Sequence, residues 1–99
     1  MPTLVVPSVT PTAGEATSVA TASEPVTVFP GGINGGFITN PASATATLWV
    51  NPVGAAGTAA GGTTFGLAPG QTWTAIPGQS TPTTANSLLT GHSFTAVFW

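Results

Sequence analysis

"SATATLWVN", residues 43–51, alternates two kinds of side chain. Ala44, Ala46, Leu48 and Val50 fall on one side of an extended chain, and Thr45, Thr47, Trp49 and Asn51 on the other. That period of two predicts a β-strand with one face in a core. The next stretch, "PVGAAGTAAGG" at 52–62, holds too many glycines for a helix despite its alanines and reads as a loop. "TTFGLAPGQTW" at 63–73 then resumes the strand pattern. Phe65 and Leu67 share a face, Pro69-Gly70 fits a tight turn, and Trp73 or Ile76 comes back inward. No charged side chain occurs between positions 44 and 73.

The flanks read the same way. In "PVTVFP" (25–30) Val26 and Val28 alternate with Thr27 between two prolines, a short strand. "GGINGG" (31–36) is a turn whose Asn34-Gly35 pair tolerates positive φ, and "GFITN" leads to a break at Asn40-Pro41. "TPTTANSLLT" (81–90) is a strand or a connection. "HSFTAVFW" (92–99) sets Phe94, Ala96 and Phe98 against Thr95, Val97 and Trp99. No window combines helical periodicity with caps. The expected class is all-β: a small antiparallel β-sandwich or barrel, Ig-like or jelly-roll-like, over residues 25–99. Residues 1–24 carry Pro, Ser, Thr and Ala, both acids and no aromatic, and read as an extended or flexible N-terminal arm.

Charge narrows function further. The 99 residues include no Lys, Arg, Asp, Tyr or Cys; Glu15 and Glu24 are the only acids and His92 the only imidazole. Without basic side chains a phosphate backbone has nothing to bind, so no nucleic-acid partner is expected, and the polybasic route to an anionic membrane is absent as well. No segment reaches the ~18 continuous apolar residues of a membrane-spanning helix. The first residues lack the positive start of a signal peptide. Production in a cytoplasm is therefore expected. Five Phe and three Trp supply enough apolar surface to argue for a folded chain over a disordered one.

Catalysis has little to work with. A Ser-His-acid mechanism would have to use His92, with both glutamates in the arm and no G-x-S-x-G elbow. "GGINGG" lacks the Lys and helix of a phosphate loop. His92 reads as a surface or interface histidine at a strand start, bonded to a backbone group. Three copies meeting on an oligomer axis would be the alternative, as a zinc set. The expectation is a non-enzymatic protein without cofactor or metal. Thr45-Ala46-Thr47 and Thr72-Trp73-Thr74 look like ice-binding T-x-T steps, but no fixed period repeats them.

A core this small, with no disulfide or metal, points to oligomerisation as its reinforcement. "SATATLWVNP", the Gly/Ala loop, "FGLAPGQTW" and "GHSFTAVFW" together resemble the small structural proteins of tailed-bacteriophage virions, in particular capsid decoration or cement proteins. The resemblance covers roughly residues 37–99. It implies a β-sandwich or barrel, frequently trimeric, whose N-terminal arm contacts the shell of major capsid protein or another virion protein. On that reading the location is the virion, and Trp49, Trp73, Phe98 and Trp99, with Leu4, Val5 and Val6 of the arm, form oligomer or shell contacts. A glycan- or surface-binding module of a tail or fibre is the alternative, and an ice-active or surface-layer protein a more distant one.

Overall fold

The alternation around Trp49 becomes the central part of a two-layer β-structure. A computed structural model describes residues 10–99. It holds ten strands: β1 Thr12–Ala13, β2 Ser18–Val19, β3 Val26–Phe29, β4 Gly36–Thr39, β5 Leu48–Asn51, β6 Phe65–Leu67, β7 Thr72–Thr74, β8 Thr83–Asn86, β9 His92–Ser93 and β10 Thr95–Phe98. One antiparallel sheet runs β1-β10-β4-β7 and a second runs β3-β8-β5-β6; β2 and β9 form a two-stranded ribbon. The class is all-β, as expected from the sequence. Among the described residues no helix is long and apolar enough to cross a membrane.

Leu48 and Val50 are fully buried, and Trp49 between them is half-buried. The strand is shorter than its pattern: residues 43–47 bend away, beginning with a turn in which the Ala44 amide bonds the Pro41 carbonyl. Val50 faces Phe65 on one side and Ala85 on the other, and Leu48 faces Leu67. These residues, with Ile38 and Ala96 of the other sheet, share one core. Two tilted aromatic pairs bridge the layers: Phe29 with Phe98 at 5.8 Å and Phe65 with Trp73 at 5.5 Å between ring centroids. Such pairs add about 0.5–1.5 kcal/mol each beyond their buried area.

In β3, simple alternation would leave Phe29 on the outer side with Thr27. A bulge prevents this. Thr27 pairs with Thr84 and Phe29 with Thr83, so Val28 is an extra residue, and both Val28 and Phe29 turn fully into the core. The Pro69-Gly70 turn forms, with Gly70 at φ 86°. It carries the chain from one sheet to the other, so β6 and β7 do not pair as a hairpin. Trp73 takes the inward place and Ile76 stays 65 % exposed. In "GGINGG" neither Asn34 nor Gly35 has positive φ; Gly35 is small because the Trp99 ring lies against it, where a Cβ would sit 2.7 Å from Cζ2.

Residues 10–24 lie along their own domain. Thr12–Ala13 pair with Val97 and Phe98, Val19 pairs with His92, and Val19 is fully buried in the core. The described sandwich thus draws on residues before position 25. Leu4, Val5 and Val6 lie outside the described residues.

Candidate functional site

The short strands β4, β8 and β9 deliver three polar side chains to one buried place between the sheets. Asn40 follows β4 at the Asn-Pro break, Ser87 follows β8, and His92 opens β9. Asn40 and Ser87 are fully buried and His92 is 6 % exposed. His92 is therefore neither a surface group nor bonded to the backbone, as its sequence position had led us to expect. The Ser87 hydroxyl lies 2.7 Å from Nδ1, and Asn40 Oδ1 lies 2.8 Å from Nε2.

Hydrogen-bond chemistry fixes the direction of this line. The Asn40 amide nitrogen donates to the Leu67 and Ala46 carbonyls at 2.8 and 3.0 Å, so its oxygen must face the ring and accept. The imidazole proton then sits on Nε2, Nδ1 is bare, and Ser87 donates to it. The Leu89 amide donates in turn to the Ser87 oxygen at 3.1 Å. Every buried donor and acceptor along the line is matched, which is what such a site needs in a low-dielectric interior. Burial lowers the His92 pKa below its ordinary value of 6.5, because desolvation disfavours the cation.

The order serine–histidine–asparagine has the connectivity of a nucleophile, a base and an orienting group. Its setting differs from that of a nucleophile. Ser87 has no exposed surface, and an open cleft of about 200 Å³ beside the site is lined by Pro41, Thr45, Leu89 and the edge of His92 but not by Ser87. A substrate carbonyl has no path to Oγ in this conformation. Both ring nitrogens are engaged inside the chain, leaving neither for a metal, and no group of three metal-ligating side chains occurs among the described residues. The arrangement ties three sheets together: Asn40 belongs to the β4 side, Ser87 to β8, and His92 to the β2–β9 ribbon.

The aromatic candidates are divided between the faces. Trp73 and Phe98 pack against the core. Trp49 lies on the outer face of the second sheet over Gly66, where a Cβ would approach its ring to 2.9 Å. Trp99 lies on the outer face of the first sheet, across Gly35. That outer face is read from the register: Thr95, Thr39 and Thr72 form one row, and Val97, Phe37 and Thr74 the next. The Thr39 and Thr72 hydroxyls bond each other at 2.7 Å. Four of these six side chains are threonines and none is charged. Alternation in 92–99 announced one half of this face; its neighbours came from strand order, which no local pattern carries.

The opposite outer face is partly covered. Asn86 donates to the Ala56 carbonyl, Thr84 donates to the Gly54 carbonyl, and the Ala56 amide donates to the Thr84 hydroxyl, so the Gly/Ala loop is strapped to β8. Asn51 organises the rest through Val53, Ala55, Thr63 and Thr64. Comparison with protein-family models, with curated proteins and with solved structures finds no match to this chain.

Proposed function

We propose that the chain is a non-enzymatic structural module of a virion, of the capsid decoration or cement type, and that it associates through the outer face of the β1-β10-β4-β7 sheet. The observation that supports this reading is the character of that face. It spans Val97, Phe37 and Trp99 and carries threonines where a free monomer normally carries charges. Burying such a face against a neighbour strands no charge, and association there removes half-buried aromatic surface from water. Repetition around a symmetry axis, with a trimer favoured, then multiplies weak single contacts. The bound partner is a second copy of this chain and a shell protein.

The test is native mass by sedimentation equilibrium over a wide concentration range, on the unaltered chain and on Thr95→Lys. Thr95 is exposed, so the lysine is tolerated by the fold, while its charge is placed on the proposed interface, at the end of the Thr95–Thr39–Thr72 row. A stable oligomer that the lysine dissociates, with unchanged circular dichroism, supports the reading. A monomer at every concentration refutes self-association. An antibody against residues 10–99 that labels no intact particle in a phage lysate of the source refutes the virion assignment.

The same face favours a second reading, because Phe37 and Trp99 offer flat rings to a sugar. A tryptophan fluorescence shift on adding neutral glycans, lost in Trp99→Ala, would move the assignment to a glycan-binding module.

A further inference from the structure

We propose that residues 17–23 form a strap that protonation of His92 releases from the sandwich. The strap's hydrogen bonds to the rest of the chain go to the turn that contains His92, and its one buried side chain, Val19, packs in the core beside that turn. The Thr17 carbonyl accepts from the Phe94 amide at 2.9 Å, the Val19 carbonyl from Gly91 at 2.8 Å, and the Ser23 amide donates to Ser87 at 2.8 Å. The Ala22 amide bonds the Thr90 hydroxyl at 3.2 Å. Residues 87–94 therefore form the receptor for the strap, and the Ser87–His92–Asn40 line anchors that receptor to the β4 end of the sandwich.

The line is matched to the neutral ring. A second ring proton would appear on Nδ1, pointing at the hydrogen that Ser87 now donates. Ser87 would have to turn its hydroxyl away, in a fully buried position where one oxygen lone pair is already used by the Leu89 amide. A charged imidazole between two neutral partners has no counter-ion. No titratable or charged side chain lies on the segments packed around it: residues 40–45, the end of β8, the 88–91 turn and β2 contain none. Glu15 and Glu24, the nearest in sequence to β2, are exposed and do not bond the ring.

Opening is the relief available. Moving residues 87–94 outward hydrates the imidazolium and breaks the strap's hydrogen bonds together. Ser23, at φ 63°, is the only non-glycine residue with positive φ among the described residues, so release also removes a left-handed strain at the strap's end. Because His92 is held below its ordinary pKa while closed, lowering the pH favours the open form, by up to about tenfold in population per pH unit.

The experiment is amide hydrogen exchange by NMR on the full chain at pH 7.5 and pH 5.0, expressed as protection factors, with the His92 Cε1 proton titrated in parallel. The expected result is protection lost at Ala22, Ser23, Gly91 and Phe94 as the imidazole titrates, while amides of β5 and β8 stay protected. Protection that persists at these four amides with His92 protonated would overturn the proposal, as would a loss spread evenly through β5 and β8. His92→Gln replaces the imidazole with a carboxamide that cannot titrate: its strap amides should show equal protection at both pH values. If that variant does not fold, the parallel titration of the unaltered chain decides alone.

Discussion

Asn40→Ala is the sharpest test of the line between the sheets. The substitution deletes three hydrogen bonds: from the amide nitrogen to Leu67 and Ala46, and from His92 Nε2 to the amide oxygen. The side chain has no exposed surface, so water does not readily replace it. The His92 N–H and the Leu67 carbonyl are left buried without partners, at about 1–3 kcal/mol each. Ala46 is half-buried, and its carbonyl recovers part of its bond from solvent. The sum is about 3–5 kcal/mol, set against a total of about 5–15 kcal/mol for a domain of ordinary stability. With a urea slope of about 1–2 kcal/mol per molar, the unfolding midpoint should fall by roughly 1.5–5 M. Ser87→Ala should cost less, about 1–2 kcal/mol, because it strands only the bare Nδ1 and an amide near the surface. Thr45→Ala, exposed beside the cleft, should stay within about 0.5 kcal/mol. A loss below about 1 kcal/mol for Asn40→Ala, or the reverse ranking, would show that the line does not carry the stability assigned to it.

Other consequences are open to direct measurement. Gly66→Ala should lower stability by about 1–3 kcal/mol and alter the near-ultraviolet circular dichroism, since the new Cβ would meet Thr47 Cγ2 at 2.8 Å and the Trp49 ring at 2.9 Å; a neutral or stabilised variant would sink the packing argument. A fluorophosphonate should leave Ser87 unmodified at pH 7.5, and stoichiometric labelling found by mass spectrometry would mean that the hydroxyl is reachable. Unfolding free energy should be level above pH 6.5 and decline as pH falls from there through the lowered folded pKa of His92, by at most about 1.4 kcal/mol per unit. Urea titrations across that window check the sign: a stability that rose on acidification would reverse the assignment of the neutral ring.

The strands were legible where side chains alternate. Leu48 and Val50 inward, Trp49 outward, Phe94 and Ala96 inward: each follows from period two in the local sequence. The bulge at Val28 was not, because its cause is the competition of Val28 and Phe29 for the same core, which exists only once β8 lies alongside. The pairing of residues 12–19 was hidden by composition. Thr, Ser and Ala promise no core on their own, yet Val19 alone, set beside His92, is enough to fix β2. The buried line was hidden for a different reason. Nothing local links Asn40 to His92; their meeting depends on strand order. The Asn-Pro break marked where a strand ends, and gave no sign that the asparagine would turn inward to hold a ring.

The strand order has a consequence for how the molecule is made. In the β1-β10-β4-β7 sheet the second strand, flanked on both sides, is the last of the described strands to be synthesised, while its partner β1 is the first. Until Thr95–Phe98 leave the ribosome, β1 has no neighbour and β4 shows a bare edge. The other four-stranded sheet is complete by Asn86 and can close earlier. A nascent chain halted between those points would present half a sandwich with its apolar face uncovered, the state in which edge pairing between chains is most dangerous. The shortage of charge that suits the finished surface gives that unfinished intermediate little electrostatic protection, so its safety rests on how quickly the final strand arrives.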